Sequence, residues 1–164
     1  MDNSSLAKNM RELLIKIPTA IPKELNPNWW PKNITDAAIR GLKARAIGHL
    51  HEFTLVYAMD ARNRWERVNG QKWEALPGAR LEATIILPPR AKRWDSTNIR
   101  SALKYAEDCL VRTEIIVDDS PEHVEWAEMK FARGPEPEIW LKIQEVEHEQ
   151  GTVKGRMERD ERDA

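Results

Sequence analysis

The sequence predicts an α/β fold of the α+β kind, a mixed β-sheet with helices packed against it in the order β-α-β-α-β-β. Two patterns predict it. Apolar residues alternate with polar ones in short runs near 13–17 and 81–87, the period of a half-buried strand. Elsewhere they recur every three or four residues over longer stretches, the period of an amphipathic helix. A chain of 164 residues, 41% hydrophobic and 32% charged, is the size of one domain with one core.

Leu13, Ile15 and Ile17 make the first strand, which Pro18 and Pro22 end. Leu25-Asn26-Pro27-Asn28-Trp29-Trp30-Pro31 is a loop of turn residues. Thr35 or Asp36 then offers an N-cap. Behind it Ile39, Leu42, Ala46, Leu50, Phe53, Tyr57, Ala61 and Trp65 form one face of a long helix that stops at Asn69-Gly70. Its other face carries Arg40, Lys43, Arg62 and Arg67, a solvated surface or a nucleic-acid contact.

Leu81, Ala83, Ile85 and Leu87 form the second strand, closed by Pro88-Pro89. A second helix runs from about Asn98 to Arg112, with Ile99, Leu103, Ala106 and Leu110 inward. Asp118-Asp119-Ser120-Pro121 is a turn. Residues 124–131 and 139–146 read as a hairpin across Gly134-Pro135-Glu136-Pro137. The expected domain spans residues 1–147, and 148–164, nearly devoid of apolar residues, read as a disordered tail.

The net charge of −1 hides an asymmetry: 19 Lys/Arg against 12 Asp/Glu in residues 1–112, then 7 against 15 in 113–164. A basic front suits a polyanionic ligand. The single cysteine, Cys109, excludes an internal disulfide and a cysteine-ligated zinc. With no signal-peptide pattern and no apolar run of membrane length, the expected compartment is the cytoplasm, with no membrane partner. There is no Gly-rich phosphate loop, no G-x-S-x-G and no His-Glu-x-x-His. His49 and His51, two apart on a helix, point to different faces and cannot share one ion.

The chemistry-bearing stretch is Arg90-Ala91-Lys92-Arg93-Trp94-Asp95-Ser96-Thr97-Asn98, with Lys104 and Asp108 inside the second helix and Asp118-Asp119 beyond it. If the chain doubles back after Arg112, Asp95 and Asp119 converge into a hard oxygen site for Mg²⁺, with Arg90, Lys92 and Arg93 beside it for a phosphodiester. The same residues fit a plainer account. Asp95 can simply cap a helix, Lys104 and Asp108 can be a surface i, i+4 pair, and Asp118-Asp119-Ser-Pro can be only a turn.

At these residues the sequence resembles the RusA-type Holliday junction resolvases, small Mg²⁺-dependent endonucleases common in phages. Their signature is D-x-D-N, a lysine within the helix, D-x-L, and an Asp-Asp pair. Here it reads Asp95-Ser96-Thr97-Asn98, Lys104, Asp108-Cys109-Leu110 and Asp118-Asp119. The likeness covers roughly residues 11–147. Thr97 stands where the second aspartate is expected, as in a D-x-x-N form with a longer gap from Asn to Lys.

The resemblance implies a homodimer that resolves four-way or branched DNA by paired nicks. It implies Asp95 and Asp119 as Mg²⁺ ligands, with Asp118 a further one, and Lys104 beside the scissile phosphate. Asn98 and Asp108 would support these groups, and Arg90, Lys92 and Arg93 would hold the DNA backbone. Two other readings stay open. One is a branched-DNA-binding protein that does not cut, which Thr97 favours; the other is a small protein-interaction domain.

Overall fold

The computed structural model describes residues 10–147. The expected tail, 148–164, lies outside them. The architecture is a mixed sheet with packed helices, as the periodicities predict. Strand β1 (Glu12–Ile17) is followed by a 3-10 turn (Lys23–Leu25), helix α1 (Asp36–Asn69), strand β2 (Ala79–Leu87) and helix α2 (Ser96–Arg112). Three strands close the chain: β3 (Val124–Trp126), β4 (Lys130–Arg133) and β5 (Glu138–Glu145).

The local signals act where the sequence puts them. In β1 the odd-numbered residues Leu13, Ile15 and Ile17 are buried and the even-numbered ones exposed. Thr35 caps α1, its hydroxyl accepting from the Ala38 N–H at 3.2 Å. Gly70 ends the helix in the left-handed region at φ 65°, where a side chain would be strained. The buried stripe of α1 is Ala46, Leu50, Thr54, Ala58 and Ala61; Leu42, expected inward, is exposed. Small residues dominate because α1 packs closely on α2 and β1. On its polar side Arg62 donates to the Thr113 carbonyl at 2.6 Å, so that cation ties the helices together.

The expected hairpin is overturned. Residues 124–146 do not form a hairpin. The segment 124–131 splits into β3 and β4, and both pair parallel with β2. Strand β5 lies on the other side of β2, antiparallel to it and to β1. The sheet order is β1-β5-β2, with β3 and β4 end to end along the outer edge of β2. The connection from β4 to β5 therefore crosses the end of β2. Gly134 makes that possible: its N–H donates to the Leu87 carbonyl, and a Cβ there would stand 2.7 Å from Ile86 Cγ2. The turn residues encode a reversal, but the apolar run through Ile85, Ile86 and Leu87 supplies the partner, because it needs neighbours on both edges.

Ile15, Leu50, Leu81, Leu103, Leu110 and Leu141 are essentially inaccessible and join both helices to the sheet in one core. Among the described residues no helix is long and apolar enough to cross a membrane.

Candidate functional site

Helix α2 organises the chemistry. Ile99, Ala102, Leu103, Ala106 and Leu110 face the core, which turns Arg100, Ser101 and Lys104 outward and leaves Glu107 and Asp108 at the margins of the buried face. After Arg112 the chain reverses. The Thr113 N–H returns to the Cys109 carbonyl, and Glu114 takes a left-handed conformation at φ 57°. Ile115 and Ile116 drop into the core, and Ile116 bridges to Leu76. This return sets Asp118-Asp119 beside the second half of α2.

Asp119 neighbours Asp108 there, and the two side chains line one cleft. Burial raises the Asp119 pKa, and the Asp108 carboxyl raises it further. Asp118 goes the other way. The Ser120 hydroxyl and the Asp119 N–H, the latter at 2.9 Å, stabilise its charged form. Burial also raises Glu107, partly offset by the Trp126 indole N–H, which donates to its Oε2 at 2.9 Å.

Asp119 stands on the rim between two clefts of about 480 Å³ each. Arg100, Lys104, Glu107 and Trp126 line one with it; His51, Asp108 and Arg112 line the other. The Arg100 guanidinium lies 4.0 Å above the Trp126 ring, which holds that cation on the cleft wall. Lys104 and Asp108 do not close the ion pair their spacing allows, so the ammonium stays available to the cleft.

Asp95 is elsewhere. It caps α2, its Oδ1 accepting from the Thr97 N–H at 2.8 Å, and it stands thirteen positions before Asp108. That is about 20 Å along the axis. Asp95 and Asp119 line no common cleft in the single chain: Asp119 comes early in the return and neighbours Asp108, and only the later Trp126 reaches back to Arg100. Among the described residues no three His, Cys, Asp or Glu side chains gather as a metal site.

Asp95 instead borders a groove of about 740 Å³ with Lys92, Arg93, Trp94, Lys23 and Trp29. Asn98 donates to Asn26 Oδ1 at 3.5 Å and so ties the start of α2 to the 26–31 loop. Arg93 lies 3.7 Å above the Phe131 ring. Arg90 sits at φ 72° in the turn after the prolines, outside the groove lining. Arg133 clamps that turn through the Pro88 and Ala91 carbonyls.

Four residues of the clefts escaped the sequence reading. Arg100 and Glu107 stand four before and three after Lys104, spacings that put them on its side of α2. His51, whose Nε2 is buried without a hydrogen-bond partner, and Trp126 reach the clefts only through tertiary packing, which leaves no mark in the sequence. No family model matches the chain, and no curated protein matches its sequence.

Proposed function

We propose that the protein is a Mg²⁺-dependent endodeoxyribonuclease that nicks branched or four-way DNA. The observation that carries this reading is Asp119, which neighbours Asp108 in one open cleft and lines the adjoining one with Lys104 and Arg100. Two neighbouring carboxylates, one of them with a raised proton affinity, are a good hard-oxygen donor pair. Two carboxylates fill only part of an octahedral shell, which suits an ion that keeps waters and takes phosphate oxygens.

Asp108 and Asp119 would hold the ion, with Asp118 next to them. Bound there, it would supply Lewis-acid stabilisation of the charge that develops on the phosphate. Lys104 supplies a fixed positive charge for the same phosphate, and Arg100, braced on Trp126, supplies a second. Arg90, Lys92 and Arg93 hold the DNA backbone, a sequence-independent and salt-sensitive role.

The position of Asp95 gives the homodimer implied by the resemblance a chemical purpose. Asp95 and Asp119 stand near opposite ends of one helix, so a two-fold relation between two copies can set each against the other's counterpart. In this reading Asp95 completes the centre of Asp119 of the partner subunit, and two such centres cut two strands.

The test is cleavage of a labelled synthetic four-way junction with Mg²⁺ and with EDTA, beside linear duplex. Symmetric Mg²⁺-dependent nicks on the junction, lost in Asp119→Asn, support the reading. Thr97 favours a second one, a scaffold that binds branched DNA without cutting. Tight binding with no product would establish it. Binding to no DNA at low salt would leave a protein-interaction domain.

A further inference from the structure

The groove at the start of α2 is chemically unlike the carboxylate clefts. Its floor is apolar, formed by Ile85, Leu87 and Ile99, and two indoles, Trp29 and Trp94, stand in its walls. Trp29 is 39% exposed, unusual for so large an apolar ring. It is nevertheless held in place: the Lys23 ammonium lies 4.9 Å above its ring, and Trp30 meets it edge-on at 5.2 Å.

Charge supplies the second observation. Lys23, Lys92 and Arg93 ring the groove, and none forms an ion pair among the described residues. Asp95, the acidic group there, already accepts from the Thr97 N–H. Asn26 offers a third feature. Its Oδ1 receives the Asn28 N–H and the Asn98 amide, which fixes the side chain at the groove wall. An apolar floor, exposed indoles, a fixed amide and three unpaired cations form a site for a flat heteroaromatic ring that carries an anion. The volume, about 740 Å³, is of the size that encloses a small ligand.

We propose that this groove binds one unpaired nucleotide of the DNA substrate, with its base against Trp29 and its phosphate between Lys92 and Arg93. The inference rests on the DNA-cleaving reading and deepens it. A nucleotide displaced at a branch is recognised by stacking, which duplex DNA cannot offer without the cost of unpairing a base. Selectivity for branched DNA then resides in this groove, while the Asp108–Asp119 centre supplies cleavage.

The experiment measures equilibrium binding in EDTA, so that no cleavage intervenes. The probes are a fully paired duplex and the same duplex with a single unpaired adenine. Wild type should bind the bulged duplex more tightly. Trp29→Ala should lose that preference by about ten-fold while keeping its affinity for paired duplex. Trp29→Phe, which keeps an aromatic face, should retain most of it, and unchanged melting temperatures would exclude loss of fold.

No preference in wild type overturns the proposal. So does a Trp29→Ala variant that keeps the preference, or one that weakens on both probes alike. Each of those results leaves the nuclease reading standing if junctions are still cut with Mg²⁺. Absence of binding to either DNA removes both.

Discussion

At the scale of single residues, the proximity of Asp108 and Asp119 sets two opposed quantities. Burial, reinforced by neighbouring carboxylates, disfavours ionisation, so Asp119, and Glu107 near it, hold protons more tightly folded than unfolded. Their contribution to stability is complete below the ordinary carboxylate range. It is lost as pH rises through their raised folded values. Asp119→Asn should therefore melt a few degrees above wild type at neutral pH, with the gap closing toward about pH 4. Melting curves across that range, wild type against variant, check the sign, and the same variant should be inactive.

Added Mg²⁺ should raise the melting temperature of wild type but not of Asp119→Asn. A cation binding the folded state alone stabilises it by mass action. Lys104→Ala should lower the cleavage rate about 10²-fold with little change in junction affinity, since the charge is needed most in the transition state. Cleavage unchanged by that substitution would return Lys104 to an ordinary surface lysine. Cys109 supplies an independent check on the core. Burial pushes its thiol pKa to about 11, so thiol reagents should modify it at neutral pH only after unfolding.

At the scale of elements, what sequence revealed and what it hid divide by the range of the interaction. The alternation of Leu13, Ile15 and Ile17, the Thr35 cap and the Gly70 stop are local, and each marks its element correctly. The pattern alone puts the start of α2 at about Asn98; it lies two residues earlier because Asp95 itself is the cap. Strand partnership is not local. Residues 124–146 show strand, turn and strand, yet β2 occupies the space between β4 and β5. The site divides in the same way. The grouping of Lys104 and Asp108 on α2 was legible from spacing, whereas the placement of Asp119 against Asp108 depends on the return through Glu114 and Ile116.

The crossing at Gly134 carries its own prediction. Gly134→Ala puts a methyl 2.7 Å from Ile86 Cγ2 and should cost about 1–3 kcal/mol. Ile86→Leu in the same chain, which has no β-branch and so lacks the Cγ2 methyl, should return part of that. Denaturant unfolding of the single and double variants measures both. Additive losses would mean that the two groups do not meet.

At the scale of the whole molecule, one helix separates two groups of polar side chains. Asp95 and the basic, indole-lined groove lie at the start of α2, and the carboxylate pair lies along its second half. In the proposed reading, a single chain holds a DNA-binding end and a cation-binding end that do not share a centre. In the same reading, two chains related by a two-fold axis would unite them twice, to match a substrate with paired strands to cut.

That claim is tested most directly by mixing two inactive proteins. Asp95→Asn keeps a good N-cap, so α2 should remain intact. Asp119→Asn removes the opposite half of the centre. Each alone should fail to cut a four-way junction. Subunits exchanged between the two should regain Mg²⁺-dependent nicking, because a mixed dimer contains one centre with both native carboxylates. No recovery from a verified mixed dimer would contradict the shared centre, and so would full activity of Asp95→Asn alone.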